Sequence, residues 1–280
     1  MRNWKGSIGV GALAGVLLFS AAPPWQPSRG QTSYERANAL FVEKKFAESH
    51  EAVEEALRLD ANLVPALTLK AKLAMASNRY DLARQSLERA LKVDPKASYA
   101  QFLYGMVAYL NNEIKEALPR FRQARELAPM DPRAALYLGL ATESVGRPED
   151  ALALYQEAIR LERETGQPQA ETLLPGARLL LLLGRLDECE RWIRQAVKLS
   201  PKLRDAHFEL ARLLLKKGEP AQAATEGELS LGLSEGTVTD MAIHYLLIRA
   251  WQQAGMPDRA AVHAGVIRAG ENPAIHTVVK

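Results

Sequence analysis

The sequence predicts an all-α fold in which helical hairpins stack into a solenoid. In the stretch from Ser98 to Pro129, two apolar runs at helical spacing are separated by Asn111-Asn112. Its small, large apolar and proline positions recur along the chain with a period of about 34 residues. A glycine followed two residues later by a proline recurs at the turns. Because one hairpin cannot bury its own apolar face, repeated hairpins are expected to stack around a continuous core.

The stretch from Ser98 to Pro129 defines the repeating unit. Its first predicted helix covers residues 99–110 and contains Gly105, where a neighbouring backbone can approach closely. Its second predicted helix covers residues 114–127, with Ala117, Phe121 and Ala124 on one face. Pro129 ends this helix because proline has no N–H to continue the hydrogen-bond ladder. The unit is therefore two antiparallel helices in close contact.

About seven copies of this unit follow one another, and the last copies are the most degenerate. Four added residues around 166–169 precede the fifth copy, and a shift of three residues precedes the seventh. Glycines at 146, 184, 218 and 255 suit the end of a first helix, since glycine adopts the left-handed conformation needed there. The predicted repeats cover residues 31–61, 64–95, 98–129, 132–163, 170–201, 204–235 and 241–270.

The spacing of Tyr104-Gly105, Ala117, Phe121, Ala124 and Pro129 resembles the tetratricopeptide repeat over about residues 31–270. The resemblance implies a right-handed superhelical solenoid in which the first helix of each hairpin lines a concave groove. It further implies a scaffold or adaptor that binds a partner protein or an extended peptide, with no cofactor. Two alternatives are a structural component that self-associates and the substrate-recognition subunit of an enzyme or envelope assembly complex.

Residues 1–30 differ from the repeats and are typical of an export signal with a proline-rich linker. Arg2 and Lys5 precede an apolar run from residue 8 to residue 22, which is short for a membrane span. Cleavage fits after Ala22 or after Gly30, and Pro23 disfavours the first site. We therefore expect a periplasmic or secreted protein, or a membrane-anchored one if the segment is not cleaved. Residues 271–280 are interpreted as a C-terminal tail.

The charge balance argues against a nucleic-acid partner. The formal net charge is +3, but residues 1–30 contain three basic residues and no acid. From residue 31 onward the chain therefore carries 33 basic and 33 acidic residues. A repeat array with no net charge has no general attraction for nucleic acid or anionic lipid.

No catalytic, cofactor-binding or metal-binding motif is recognisable, so we do not expect an enzyme. The single cysteine, Cys189, occupies a repeat position that holds alanine in other copies, which favours a small core residue over a reactive thiol. His207 and His244 share the fourth position of their repeats, which favours a packing role for both. No carboxylate or thiol accompanies them at a spacing typical of a metal site.

Groove positions 2, 5, 9 and 12 of the third repeat carry large apolar side chains on one stripe of a helix. These residues are Tyr99, Phe102, Met106 and Tyr109. The next repeat continues the strip with Leu136, Tyr137 and Leu140. Aromatic and methionine side chains are enriched at binding surfaces. The strip is therefore a candidate partner-binding surface, and burial by tight stacking of the repeats is the alternative.

Position 9 becomes arginine in the last three repeats, at Arg178, Arg212 and Arg249. Stacked guanidinium groups suit the carboxylates of a bound chain, whereas local ion pairs with Glu171, Glu209 or Asp205 are the alternative. Chaperone-binding members of the resembled family use a carboxylate clamp of lysine, arginine and asparagine. Only the asparagine matches here, which argues against that specific ligand. The corresponding residues are Tyr34, Asn38, Leu69, Tyr99 and Leu103.

Overall fold

The structure, a computed structural model, describes residues 28–271 of the 280-residue chain. The predicted export segment up to residue 27 and residues 272–280 of the predicted tail lie outside the described residues. Fourteen helices account for most of the described part. They are α1 (Arg29–Val42), α2 (Phe46–Leu59), α3 (Val64–Ala76), α4 (Tyr80–Val93), α5 (Ser98–Leu110), α6 (Ile114–Leu127), α7 (Pro132–Ser144), α8 (Pro148–Glu164), α9 (Ala170–Leu182), α10 (Leu186–Leu199), α11 (Arg204–Lys217), α12 (Pro220–Gly232), α13 (Asp240–Gln253) and α14 (Pro257–Glu271).

The helices pack in consecutive pairs, from α1 with α2 to α13 with α14, and form seven hairpins. Each second helix also packs on the first helix of the next hairpin, so the array is one right-handed superhelical solenoid. The all-α solenoid predicted from the sequence is confirmed. The helices of the template unit, 98–110 and 114–127, begin and end within one residue of the predicted runs.

Small residues set the distance between the two helices of a hairpin. A Cβ atom built on Gly105 of α5 would lie 2.7 Å from the ring of Phe121 of α6. A Cβ atom on Gly139 of α7 would lie 2.7 Å from the ring of Tyr155 of α8. Phe121 and Tyr155 are both fully buried. The glycine therefore makes room for the large side chain that fills the centre of each of these hairpins.

The turn inside each hairpin places one residue in the left-handed region. The first three turns use Lys44, Asn78 and Asn112, with φ between 56° and 61°. The later turns use glycine, which adopts positive φ without the steric cost that a Cβ atom brings. Those glycines are Gly146, Gly184, Gly218 and Gly255. The turns predicted from glycine spacing thus share one backbone geometry, and lysine and asparagine adopt it in the first three hairpins.

The four added residues before the fifth hairpin are only partly loop. Helix α8 has 17 residues, whereas α6 has 14, so three of the additions continue the helix and one lengthens the connection. The buried carboxylate of Glu162 in this extension accepts hydrogen bonds from the Gln169 N–H at 2.9 Å and the Thr172 hydroxyl at 2.5 Å. These contacts attach the connection to the first turn of α9.

The three-residue shift before the last hairpin is a longer connection over residues 233–239. Asp205 of α11 is buried, and its carboxylate accepts hydrogen bonds from the N–H groups of Thr237 and Val238, both at 2.9 Å. The N–H of Arg204 donates to the Glu235 carbonyl at 2.7 Å, next to a short bridge between Leu203 and Glu235. These hydrogen bonds hold the connection to the last hairpin against the start of α11.

A polar side chain at the fourth position of some first helices joins the two helices of its hairpin. The partner lies 19 residues further on, as in His207 with Glu226 at 2.7 Å and His244 with His263 at 3.0 Å. Gln101 makes the same contact in the third hairpin, where it accepts from Arg120 at 3.1 Å. The two histidines therefore have the packing position expected from the sequence, with a hydrogen-bonding role in addition.

The array begins two residues earlier than predicted. Arg29 and Gly30 lie in α1, the Ser28 side chain accepts from the Gln31 N–H at 3.2 Å as its N-cap, and Gly30 is buried. A Cβ atom on Gly30 would lie 3.3 Å from the Ala56 carbonyl of α2. Among the helices within 28–271, none is long and apolar enough to cross a membrane.

Candidate functional site

The first helices of the hairpins form one continuous wall of the solenoid. α1 packs on α3, α3 on α5 and α5 on α7; in the second half, α9 packs on α11 and α11 on α13. Across the described helices, no comparable contact joins two successive second helices. Since helices on the inside of a curved array lie closer together than those outside, the first helices line the concave face. The groove residues predicted from the sequence all lie on these helices.

Three of the four residues of the predicted strip on α5, namely Tyr99, Met106 and Tyr109, are half-buried. Phe102 is different, since its side chain is only 5% exposed. Its ring lies 5.4 Å, edge to face, from the ring of Tyr137, which the next hairpin supplies. The expectation that Phe102 belongs to an accessible strip is therefore wrong, because Tyr137 covers it.

Tyr99 lies next to a charged side chain of the following hairpin. Its ring stacks on Phe102 with centroids 6.2 Å apart, and the guanidinium of Arg133 lies 5.1 Å from its centroid. Burial raises the pKa of the Tyr99 hydroxyl, so the side chain stays neutral over the physiological range. The half-buried aromatic ring and the charged Arg133 above it together form a surface with both apolar and cationic character.

A cavity of about 340 Å³ lies between α1, α3 and α5 at the N-terminal end of the groove. Tyr34, Asn38, Leu69 and Tyr99, four of the five clamp-register residues, line it, while Leu103 is buried. The positions are thus in the groove, but their side chains are mostly apolar. Lys72 also lines this cavity, and burial together with nearby Arg133 lowers the pKa of its ammonium group.

The predicted strip residues on α7 divide between two apolar clusters. Tyr137 packs against the core of the first four hairpins, and burial raises the pKa of its hydroxyl. Leu136 and Leu140 pack against the core formed by α8 and the helices that follow it. All three are half-buried. The structure therefore does not join the seven predicted apolar residues into one uniform strip.

Two of the three predicted groove arginines share a buried carboxylate. The carboxylate of Glu209 on α11 is 2% exposed and accepts from Arg178 Nε at 2.6 Å and from Arg212 Nη1 at 2.7 Å. The alternative of local pairing thus applies to these two residues, although one carboxylate leaves the cluster with a net positive charge. Within residues 28–271, no carboxylate lies in ion-pair distance of Arg249.

A cavity of about 500 Å³ lies between α9, α11 and α13, at the C-terminal end of the groove. Arg212 and Arg249 line it, and Arg178 does not. Phe208, Lys216 and Tyr245 line it as well, and the sequence analysis did not single them out. Phe208 and Tyr245 occupy position 5 of their repeats, the position of Phe102 in the third. Applying the position rule to every repeat would have found Phe208 and Tyr245, and also Arg133 at position 2 of the fourth repeat, but not Lys216, which lies one residue beyond position 12.

The groove wall is interrupted in the middle. α7 and α9 do not pack together as the other neighbouring first helices do, because the extended α8 and the connection over 165–169 separate them. A cavity of about 540 Å³ opens there, next to Arg133 and Glu162. The N-terminal half and the C-terminal half of the groove are therefore separate surfaces.

Outside the groove, a cavity of about 440 Å³ lies between α2, α3 and α4 and is lined by Phe46 and Leu82, both partly exposed. Cys189 is fully buried, its thiol donates to the Ala177 carbonyl at 3.2 Å, and burial raises its pKa to about 12. In the part of the chain that the structure describes, no cluster of three or more metal-ligating side chains is present.

Stacked helical hairpins with an open groove define a helical-repeat scaffold for protein–protein interaction. The model of the tetratricopeptide repeat family matches residues 68–119, 111–168 and 174–236, which together are more than half of the chain. The chain belongs to the tetratricopeptide repeat family.

Similarity to individual proteins is distant. Anaphase-promoting complex subunit 3 of Schizosaccharomyces pombe is 22% identical over 177 residues, 63% of this chain, and the chain spans only 26% of its length. Among solved structures, the APC/C hetero-tetramer Cut9–Hcn1 gives a TM-score of 0.69 at 20% identity over 79% of this chain and 42% of that chain. PilW, a type IV pilus biogenesis factor, gives 0.68 at 20% identity over 75% of this chain and 94% of its own. These structural likenesses concern the fold.

Proposed function

We propose that this protein is an exported, non-enzymatic adaptor that binds an extended segment of a partner protein in its concave groove. The observation that carries the proposal is a pair of cavities, each lined by the first helices of three consecutive hairpins. Half-buried aromatic and aliphatic side chains lie beside cationic groups in both. Large rigid side chains next to charged groups are typical of the energetically dominant residues at protein interfaces.

The inner position of these cavities favours an extended ligand over a small compact one. The groove continues over several helices, and its cavities open to solvent on the concave side. A preformed groove needs little rearrangement on binding, so less of the interaction free energy is lost to ordering the protein. Because the break between α7 and α9 separates the two halves of the groove, a bound segment can contact one half alone or both halves.

The test begins with a crosslinked pull-down that identifies the native partner, followed by calorimetry with purified chains. Tyr99→Ala combined with Met106→Ala removes two half-buried groove side chains and leaves the buried Phe102 in place. We expect the partner's Kd to rise at least ~10-fold, since two apolar anchors are lost. Leu229→Ser, on the exposed side of α12, is the matched control and should leave Kd unchanged.

Circular dichroism and thermal melting of both variants accompany the binding measurement. If the groove variant binds as the wild type does, or if only the Leu229→Ser variant loses binding, the groove is not the binding surface. A groove variant that melts far below the control would instead make these side chains part of the core.

Export is supported by the charged start and apolar run at the N-terminus. The solved relative PilW is described as a pilus biogenesis factor, which fits a role in the cell envelope. Cleavage after Gly30, the site expected because Pro23 disfavours the other, would remove the N-cap Ser28 and the buried Gly30 from α1. We therefore propose cleavage after Ala22, which reverses that expectation. Mass spectrometry of the N-terminal peptide from the native protein tests this. A mature N-terminus at Gln31, or an intact Met1, would contradict it.

A further inference from the structure

We propose that the cavity between α9, α11 and α13 binds a partner segment in which acidic residues accompany a large apolar side chain. This inference rests on the proposed function and narrows it to one class of ligand. The cavity has an apolar part and a cationic part. Among the described residues, the apolar side chains remain partly exposed and two of the cationic groups have no carboxylate partner.

The apolar part consists of Phe208 and Leu215 on α11, Tyr245 on α13 and Leu182 on α9. Tyr245 is 55% exposed and Leu182 is 74% exposed, whereas their neighbours in the core are nearly inaccessible. Large apolar side chains grouped in a concave surface gain free energy when a ligand removes them from water. An aromatic or branched aliphatic side chain of a partner fits this part of the cavity.

The cationic part consists of Arg212 and Lys216 on α11 and Arg249 on α13. Arg212 pairs with Glu209, which also pairs with Arg178, so two guanidinium groups share one carboxylate. Within residues 28–271, neither Lys216 nor Arg249 has a carboxylate oxygen within 4.0 Å. The cavity therefore presents an excess of positive charge, although the repeat array from residue 31 onward is balanced in charge.

The apolar and cationic groups alternate at a fixed spacing. Phe208 precedes Arg212 by four residues on α11, and Tyr245 precedes Arg249 by four on α13, so each pair lies on one helix face. Four residues rise about 6 Å along a helix, and two residues of an extended chain span roughly the same distance. A ligand with an acidic residue two positions from a large apolar residue can therefore contact both members of a pair.

The positive charge of the cavity also disfavours basic and neutral segments as ligands. A basic segment would bring like charges next to Lys216 and Arg249, which disfavours binding. A neutral segment would leave these charges without partners while it displaces their water. A second copy of this chain is the main competing occupant of an apolar groove, and the experiment below separates it from a partner segment.

The experiment measures fluorescence anisotropy of labelled synthetic peptides with the full chain. The first peptide has the core Asp-Phe-Ala-Glu in a Gly/Ser background. The second replaces the acids by Asn and Gln, and the third replaces Phe by Ala. We expect the first to bind at least ~10-fold more tightly than either other peptide, because only it satisfies both parts of the cavity. Its affinity should fall as salt is raised.

The decisive variant is Lys216→Glu with Arg249→Glu, which reverses two charges in the cavity. The matched control is Arg191→Glu with Lys198→Glu, which makes the same charge change at exposed residues of α10, a second helix. We expect the cavity variant to lose at least ~10-fold in affinity for the first peptide and the control to bind as the wild type does. Circular dichroism verifies that both variants keep their helix content.

Three results would overturn the proposal: equal binding of the acidic and amide peptides, equal loss in cavity variant and control, or no binding of the first peptide. Sedimentation of the wild type and the cavity variant measures whether either protein forms a dimer. A wild-type dimer that the cavity variant dissociates would make a second copy the occupant. If the native partner crosslinks to the groove while the peptides show no preference, the ligand class is wrong and the proposed function stands.

Discussion

At the scale of single residues, the hairpins depend on glycines that face large buried rings. Gly105 faces Phe121, and Gly139 faces Tyr155, whose hydroxyl also donates to Glu143 at 2.6 Å. A ring held in place by a hydrogen bond and complete burial has little room to move. The close approach of the two helices is therefore specified by the pair of residues and not by the glycine alone.

Gly139→Ala tests this directly. The new Cβ atom would lie 2.7 Å from the Tyr155 ring, so we expect a loss of about 1–3 kcal/mol in the free energy of unfolding, as for other overpacked cores. Gly265→Ala is the control, because no atom lies within 4 Å of its added Cβ atom. That substitution should stabilise α14 by up to ~1 kcal/mol through helix propensity. Denaturant unfolding measures both, and equal stability of the two variants would argue against the close approach.

The histidine pair of the last hairpin gives a second prediction at this scale. Burial, with His263 beside it, lowers the pKa of His244 from its ordinary value of 6.5, while Asp240 and Glu228 act in the opposite direction. The unfolded chain therefore binds the proton at higher pH than the folded chain does. The free energy of unfolding should fall as the pH falls through about 6.5.

His244→Gln should reduce this decrease, because glutamine does not titrate. Glutamine also keeps a polar side chain at the position that Gln101 occupies in the third hairpin. Thermal melting between about pH 7 and about pH 5, the range in which histidine titrates, measures the slope. His50→Gln is the control, since the His50 side chain is 52% exposed. An unchanged pH dependence in His244→Gln would contradict the assignment.

At the scale of elements, the connections between hairpins carry the irregular features of the array. The extension of α8 and the connection over 233–239 each contain one buried carboxylate that accepts hydrogen bonds from the next segment. Glu162 and Asp205 thus have equivalent roles at the two insertions. A longer connection is tolerated because its backbone N–H groups find a partner other than water.

Asp205→Ala removes the acceptor for the N–H groups of Thr237 and Val238 and for the Thr237 hydroxyl. We expect a loss of about 1.5–3 kcal/mol, the range for hydrogen bonds to a charged group. Hydrogen exchange should show reduced protection of the backbone amides in α13 and α14 before it does so in the other helices. Glu235→Ala is the control, because the exposed side chain is removed while the carbonyl that accepts from Arg204 remains. Equal effects of the two substitutions would exclude this role for Asp205.

At the scale of the whole molecule, local spacing was enough to predict the helices and their pairing. The period, the small residues and the turn residues all act within one hairpin or between adjacent ones. The helix bounds of α5 and α6 therefore follow closely from the apolar pattern. The extension of α8 was not predicted, because Arg163 and Glu164 suit a helix and a polar connection equally well.

Accessibility in the groove could not be predicted in the same way. Phe102 is buried because Tyr137 comes from the next hairpin and lies against its ring, and this depends on how tightly the superhelix is wound. Arg178 is paired with Glu209, which lies 31 residues away on the next first helix. The sequence predicts which positions face the groove, and the structure decides which of their side chains remain available for a partner.

The break between α7 and α9 divides the groove into two surfaces, and each places aromatic side chains beside cationic groups. The N-terminal half has Tyr99 beside Arg133, and the C-terminal half has Tyr245 and Arg249 in one cavity. An adaptor with two such surfaces can contact two separated parts of one segment, and linked contacts increase the overall affinity beyond that of either part.

Site-specific photo-crosslinking in the native cells tests most directly whether the partner protein binds in the groove. A benzophenone side chain is introduced at Tyr245 in the groove, at Leu82 beside the outer cavity, or at Leu229 on α12, all of which are partly exposed. If the groove binds the partner, Tyr245 yields a crosslinked partner protein and the other two positions yield little or none. Crosslinks that form mainly from position 82 or 229, with none from position 245, would contradict binding in the groove.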